Sequence, residues 1–189
     1  MAKSNANGGA RSGRRRSSPA AHKDAVSLLK ADHRQVEEWF GQFKSARSNE
    51  RKATLAGNIC RALTVHTVIE EEIFYPAFLE ATEEEDIHHE AAVEHDSAKK
   101  LIAEIEASGP DDDYYDAKVK VLSEMIKHHV NEEEKRGGMF AKAKASDMDL
   151  AALGQRLAER KAELEEGHMQ GAGIRRTLPT QRRTPAVHN

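Results

Sequence analysis

The sequence predicts an all-α protein: an up-and-down four-helix bundle with an additional C-terminal helix and disordered tails. Two observations support this fold class. The 189 residues are 32% charged and only 5% aromatic, with 12 Gly and 5 Pro, and such a composition favours helices. Apolar residues also recur at helical spacing in four long stretches with short connections, which is the pattern of an antiparallel bundle.

The bundle is expected within residues 20–145. Asp111 and the two aspartates after it suit the positive end of the fourth helix, because they lack the glycine and glutamate spacing of a calcium-binding loop. Pro76 lies inside the second pattern and should kink or end that helix. Gly109-Pro110 and Gly137-Gly138 are stop signals. The predicted helices run over about 22–46, 49–81, 83–107 and 111–136.

Three segments flank or follow the bundle. Residues 1–19 are rich in Gly, Ser and Arg and cannot form a core, so we expect a disordered basic tail. Residues 146–166 form a fifth amphipathic stretch that packs outside the bundle or contacts a partner protein. Residues 167–189 are expected to be a second disordered tail.

Composition excludes several classes of protein. A net charge of −3 gives the chain no strong attraction to nucleic acid. No apolar run is long enough to span a membrane, and the basic start is not followed by the apolar region of a secretory signal. Cys60 stands alone, which excludes an internal disulfide and fits a reducing compartment. The sequence therefore predicts a cytoplasmic protein that does not bind membranes, and a contact with nucleic acid would rest only on the arginines of residues 1–19.

A histidine and a glutamate mark the second helix. His66 and Glu70 are four residues apart and so share one helix face. Ile59, Leu63 and Ile73 lie within about 60° of His66 in projection, so this face is apolar. Because buried polar groups cost free energy unless they are satisfied, the pair is a candidate metal ligand set.

The same pattern recurs on the fourth helix, where two pairs compete. The mean direction of the apolar residues falls close to His129 and Glu133. His128 and Glu132 lie about 80 to 120° away from that direction. We therefore assign His129 and Glu133 as the inward pair and keep His128 and Glu132 as alternates.

The first and third helices each add one histidine at core phase, His33 and His95. His88, two turns before His95, is a further alternate. One buried histidine is weak support for a metal, but a polar residue at core phase on all four helices is hard to explain by chance. Six ligands are too many for one tetrahedral zinc and suit two metals bridged by carboxylates. The imidazole and carboxylate mixture favours iron, with manganese second. The predicted metal ligands are His33, His66, Glu70, His95, His129 and Glu133.

These residues resemble the haemerythrin-like HHE cation-binding domain over about residues 22–143. The resemblance implies a non-haem di-iron centre in which the four histidines are terminal ligands and the two glutamates are bridges. A Glu-x-x-His repeat of the ferritin-like type is absent at core phase. The matching segments are Ala31–Arg34, His66–Pro76, Glu94–His95 and His128–Glu134.

One departure from the family bears on function. Oxygen-carrying haemerythrins have another histidine one turn after the third-helix ligand, where this chain has Lys99. The change opens a coordination position, and Lys99 marks where it lies. It favours reaction with peroxide, oxygen or nitric oxide over reversible oxygen carriage.

Three functions are compatible with the sequence. The first is a di-iron protein that binds or senses oxygen or a related small oxidant, for a stress response or for iron and oxygen buffering. The second is a di-iron enzyme that turns over peroxide or nitric oxide. The third is a helical interaction module without metal.

Overall fold

A computed structural model describes residues 24–177, with side chains as far as residue 167. Within these residues the chain is helical and contains no strand, which confirms the all-α prediction. None of the described helices is long and apolar enough to cross a membrane. The elements are α1 (Ala25–Ser45), α2 (Asn49–Ile69), a π-helical turn (Glu70–Phe74), α3 (Tyr75–Thr82), α4 (Glu85–Ala107), α5 (Tyr115–Glu134), α6 (Met139–Ala145) and α7 (Leu150–Thr177).

Side-chain caps fix the starts of the first two helices. Asp24 precedes α1 and accepts a hydrogen bond from the Ser27 amide at 3.0 Å. Ser48 precedes α2 and accepts one from the Arg51 amide at 3.2 Å. Each cap satisfies an amide that has no partner inside its own helix, and each sets the register of the residues that follow. The positions of His33 and His66 along the bundle depend on these starts.

The core is divided into two apolar clusters. The first cluster joins the start of α1 to the π-turn, α3, α6 and α7, with Leu29, Phe74 and Leu157 fully buried in it. The second joins the later turns of α1 to α2, α4 and α5, with Ile59 and Leu122 at its centre. The polar residues predicted at core phase lie between the two clusters.

The second helix is interrupted where Pro76 predicted a change. Residues Glu70–Phe74 form a π-helical turn, and α3 follows with Pro76 in its first turn. Proline lacks the amide that would continue the α-helical ladder, and a wider turn accommodates that loss. The Tyr75 amide instead donates to the carbonyl of Glu70, five residues earlier. Such turns are common at functional sites.

The C-terminal helix α7 packs against α1, α2 and the π-turn. Leu153 and Leu157 are buried in the first cluster, while Lys161 and Arg160 form ion pairs with Asp32 and Glu72. Burial of this apolar stripe supplies most of the stability of such a helix.

The bounds of α7 correct one prediction. The helix continues to Thr177, so the residues from 167 to 177, predicted to belong to a disordered tail, are helical. A glycine inside a helix costs only about 1 kcal/mol relative to alanine, so a packed helix can propagate through Gly167. The tail predicted for residues 1–19 and the end of the chain after residue 177 lie outside the described residues.

The chain turns tightly at Gly138, shortly after the end of α5. A Cβ atom at this position would lie 2.2 Å from the carbonyl oxygen of Glu132 and 2.9 Å from that of Glu133. We therefore expect Gly138→Ala to lower the free energy of unfolding by about 1–3 kcal/mol, measured by urea denaturation. Gly41 in α1 has no atom within 4 Å of a built Cβ, so Gly41→Ala should stabilise the chain by about 0.5–1 kcal/mol. Equal effects of the two substitutions would contradict the close approach.

Candidate metal centre

A layer of ionisable side chains separates the two apolar clusters. Its members are at most 5% exposed, although each carries an imidazole or a carboxylate. The structure brings together all six residues that the sequence predicted as metal ligands, and we call this group the polar centre. It comprises His33 of α1, His66 of α2, Glu70 of the π-turn, His95 of α4, and His129 and Glu133 of α5.

The four histidines form two pairs. The Nε2 atoms of His33 and His66 are 3.0 Å apart. The Nε2 atoms of His95 and His129 are 3.2 Å apart. Each pair therefore presents two ring nitrogens to one point, and the two points lie on opposite sides of the carboxylates.

The two glutamates lie between the histidine pairs. Glu70 Oε2 is 3.2 Å from His66 Nε2 and 3.5 Å from His95 Nε2, so one oxygen faces both pairs. The two oxygens of Glu133 face different pairs. Oε2 is 3.4 Å from His33 Nε2, and Oε1 is 3.6 Å from His129 Nε2. Both carboxylates are placed to bridge two cations. Glu70 Oε1 and Glu133 Oε2 have no hydrogen-bond partner among the described residues.

A carboxylate from a different element faces the other nitrogen of each ring. His33 Nδ1 donates to Glu134 at 2.8 Å, and His95 Nδ1 donates to Glu71 at 3.0 Å. We call the four carboxylates that face an Nδ1 atom the outer carboxylates; three of them accept hydrogen bonds that orient the imidazoles and raise their basicity as ligands. The remaining two are Glu94, 2.7 Å from His129 Nδ1, and Asp32, 3.7 Å from His66 Nδ1.

These contacts determine where the ring protons lie. A carboxylate only accepts, so the Nδ1 atoms of His33, His95 and His129 carry protons. In a neutral imidazole the Nε2 atom is then a bare acceptor, and it points into the polar centre. Two acceptors 3.2 Å apart, as between His95 and His129, repel unless a cation or a proton lies between them.

The electrostatics disfavour a proton on one ring of each pair, His33 in the first and His95 in the second. Burial lowers the pKa of His33 to about 3, and the nearby His66 adds to the effect. Burial and the charge of His129 lower the pKa of His95 to about 2. Burial also lowers the pKa of His129, but the charges of Glu133 and Glu94 outweigh it and leave that pKa raised. At neutral pH His33 and His95 are therefore neutral, which is the form that binds a metal.

Burial shifts the pKa values of the two buried carboxyl groups upward, which is opposite to the shifts of His33 and His95. Burial raises the pKa of Glu70 well above its ordinary value, and the charge of Glu133 adds to the effect. Burial likewise raises the pKa of Glu133, although the neighbouring His129 and His66 act against it. Since bridging carboxylates must be ionised, a cation in the polar centre would displace protons that burial otherwise retains.

Tyr75 is a member of the site that the sequence analysis missed. Its hydroxyl lies 3.1 Å from His95 Nε2, 3.2 Å from Glu133 Oε1 and 3.5 Å from Glu70 Oε2. Burial and the charges of Glu70 and Glu133 raise its pKa well above 10.0, so it keeps its proton. In a regular α-helix residues five apart point about 140° away from each other. The π-turn removes that separation and returns Tyr75 to the face of Glu70.

The alternates lie outside the polar centre. His128 is 61% exposed in its side chain and faces Glu94, while Glu132 pairs with Lys135. His88 stacks edge-on against the Tyr75 ring at a centroid distance of 5.9 Å. Lys99 does not extend toward the histidines, because its ammonium binds both oxygens of Glu71 at 2.6 and 2.7 Å.

The donor set has the chemistry of a divalent cation site. Two groups of three buried ligand atoms have all their atoms within 4.8 Å of one another, and Glu70 belongs to both. The groups are His33, His66 and Glu70, and Glu70, His95 and His129. A nitrogen and oxygen set of this kind suits iron, manganese or zinc. The fold and the site together define a class of protein, a helical bundle with a buried cation-binding centre.

Comparison with known proteins identifies the family. The family model described as Hemerythrin HHE cation binding domain matches residues 24–143, so the chain belongs to the hemerythrin HHE cation-binding domain family. A crystal structure of such a protein, an Rv2633c homolog from Mycobacterium kansasii, is similar in fold. Its TM-score is 0.66 at 22% identity, over 78% of this chain and 91% of that one.

One curated relative also matches. A protein named DNA nickase from Nostoc sp. (strain PCC 7120) is 27% identical over 107 residues, which is 57% of this chain. The chain spans only 30% of the length of that relative.

Glu70 provides a test of the electrostatics in the metal-free protein. Its raised pKa means that the ionised carboxylate destabilises the fold, and that this loss appears as pH rises through the folded-state pKa. Glu70→Gln removes the charge, so at about pH 8 it should be more stable than wild type by about 1–4 kcal/mol in urea. The advantage should shrink toward about pH 5, where the wild-type carboxyl takes up its proton.

A matched substitution controls for loss of charge alone. Glu104→Gln, at an exposed position of α4, should leave stability unchanged across the same pH range. An advantage of Glu70→Gln that is absent at high pH, or that grows as pH falls, would contradict the assigned direction of the pKa.

Proposed function

We propose that the polar centre holds two iron ions, with manganese as the second choice, and that the protein binds oxygen or a related small oxidant there. The observation that carries the proposal is the pair of facing Nε2 atoms, 3.0 Å apart in one pair and 3.2 Å in the other. With the Nδ1 protons of His33, His95 and His129 held by outer carboxylates, the Nε2 atoms of these three rings have lone pairs to offer.

The residues divide between two cations. His33 and His66 would ligate one ion, and His95 and His129 the other. Glu133 supports a bridge because its two oxygens approach different pairs, at 3.4 and 3.6 Å. Glu70 supports a second bridge because one of its oxygens lies near His66 and His95 together. Two bridging carboxylates also offset half of the charge that two divalent ions bring into a buried layer.

The proposed binding of a small molecule is supported by a coordination position that Lys99 leaves open. Reduced iron in such a centre supplies electrons and open coordination positions for a small oxidant. A further histidine on α4 would occupy one position, but Lys99 stands there and binds Glu71 instead. Apolar clusters on both sides limit the access of water, and the outer carboxylates keep the rings in place.

The biological setting is part of the proposal. Oxidant sensing, or buffering of iron and oxygen during stress, requires reversible binding rather than turnover, and we place this role in the cytoplasm. The name of the Nostoc relative is not carried over, because this chain spans less than a third of that protein. The arginine-rich segment that could contact nucleic acid lies outside the described residues.

Iron content and spectroscopy test this function. Full-length protein expressed in iron-rich medium should contain about two iron ions per chain and show a visible absorption band that changes when oxygen is admitted. His95→Gln should lose at least one iron and the oxygen-dependent band. His89→Gln, at an exposed position of the same helix, should retain both.

The alternative of a metal-free interaction module makes the opposite prediction. A colourless wild-type protein without iron, whose thermal stability is the same with and without a chelator, would reject the proposal. A metal-loaded bundle should instead lose stability when the metal is removed.

Peroxide or nitric oxide turnover is the second candidate, and Tyr75 favours it. Its hydroxyl is a protonated donor 3.2 Å from Glu133 and 3.1 Å from His95, within reach of a molecule bound between them. A positioned proton donor assists cleavage of an oxygen–oxygen bond, and general acids typically contribute about 100-fold or more to rate.

Peroxide consumption separates the two functions. Turnover predicts steady oxygen evolution from added peroxide, abolished in His66→Ala. In Tyr75→Phe the rate should fall by about 100-fold while the iron content stays the same. Stable binding of the oxidant without turnover would reject the enzyme, and loss of iron in Tyr75→Phe would make Tyr75 a ligand rather than a proton donor.

A further inference from the structure

The four outer carboxylates differ in what covers them on the solvent side. Lys161 binds Asp32 at 2.5 Å, and Lys99 binds Glu71 at 2.6 Å. Glu134 has two such partners, Lys30 at 3.0 Å and Arg34 at 2.5 Å. On these three sides, a permanent positive charge stands between solvent and the polar centre.

Glu94 is the exception. Among the residues whose side chains the structure describes, it forms no ion pair with a lysine or an arginine. Its Oε1 atom instead lies 3.3 Å from Nε2 of His128, a side chain that can ligate a metal. Its Oε2 atom accepts the hydrogen bond from His129 Nδ1. One carboxylate thus contacts both a surface histidine and a histidine of the polar centre.

A second carboxylate, that of Glu90, joins Glu94 and His128. Glu90 is one helical turn before Glu94 and shares its face of α4. Ligand atoms of Glu90, Glu94 and His128, which we call the outer triad, lie within 4.8 Å of one another. Two carboxylates and one imidazole form a donor set for divalent transition metals. None of the three belongs to the polar centre.

A cleft links the outer triad to the polar centre. It lies between α4 and α5, has a volume of about 230 Å³, and is lined by Glu90 and Glu94 together with His129 and Glu133. Glu133 is only 2% exposed, and its Oε2 atom has no hydrogen-bond partner among the described residues. Glu133 therefore brings a buried carboxylate oxygen without a hydrogen-bond partner to the inner end of the cleft.

The charges along the cleft select cations. Four glutamates line it, and the one lysine of the lining, Lys135, is paired with Glu132. A narrow path with one sign of charge raises the local concentration of ions of the other sign. Anions would be repelled from this side, whereas a divalent cation would be attracted.

We propose that Glu90, Glu94 and His128 form an outer divalent-cation site from which metal passes through the α4–α5 cleft into the polar centre. The proposal extends the proposed function, because the passage matters only if the polar centre takes up metal. The outer triad binds weakly, since it is largely exposed, and it releases the ion toward the tighter buried ligands.

The test uses Co²⁺ as the probe and the full-length chain after removal of metal by a chelator. Visible absorption should report two tightly bound Co²⁺ ions and a third, weaker one in wild type. In Glu90→Gln/His128→Gln the third ion should be lost, and stopped-flow loading of the first two should slow by about 10-fold or more. The final occupancy of the polar centre and the free energy of unfolding should stay as in wild type.

Two further variants sharpen the result. Glu90→Lys gives this side the permanent positive charge that the other three sides carry, and it should slow loading more than the neutral substitutions do. Glu104→Gln, fourteen residues after Glu90 on α4 and so about 21 Å away, should load at the wild-type rate.

The outcomes separate this inference from the function on which it rests. Wild type that binds two Co²⁺ ions and no third, with unchanged loading in every variant, would overturn the inference and leave the proposed function standing. Wild type that binds none tightly would overturn the proposed function. The inference would still be tested in that case, because Glu90→Gln/His128→Gln should remove the weakly bound ion if the outer triad holds it.

Discussion

The structure depends on one constraint: six ionisable side chains are buried in a layer between two apolar clusters. Burial pushes each group toward its uncharged form, with the pKa of Glu70 raised and that of His95 lowered to about 2. Neutral forms do not resolve the conflict, because the Nε2 atoms of His95 and His129 then face each other as two acceptors 3.2 Å apart. A cation satisfies the nitrogens and the carboxylates together, and the free energy of its binding would be part of the stability of the fold.

The outer carboxylates extend this constraint to the helices. His33 of α1 is held by Glu134 of α5, and His129 of α5 is held by Glu94 of α4. A shift of one helix would therefore break contacts made by another. The terminal helix participates as well, since Lys161 of α7 binds Asp32, the residue that faces His66. Coordination, ring orientation and helix packing are thus parts of one network, in which each contact joins two elements.

Periodicity was sufficient for the fold class because amphipathic helices bury one face at a nearly constant angle per residue. The same calculation separated His129 from His128 on α5, and the structure has the first buried and the second exposed. The calculation assumes a uniform helix, and it therefore could not find Tyr75, which reaches the polar centre only through the π-turn. Pro76 indicated a local change but not its form.

Other features depend on contacts that no single helix encodes. The sequence analysis did not single out Glu134 or Asp32, and their roles appear only when a ring from another helix is placed beside them. Lys99 was predicted to mark an open position, but Glu71 attracts its ammonium away from the histidines. The length of α7 beyond Gly167 was also missed, because glycine composition is a weaker signal than the packing that starts the helix.

Crystallography with anomalous scattering tests the central claim most directly. Data collected on both sides of the iron absorption edge should show two iron peaks, one between His33 and His66 and one between His95 and His129, with Glu70 and Glu133 between them. A single peak at the outer surface, or imidazole pairs joined only by a proton in protein grown with abundant iron, would contradict it.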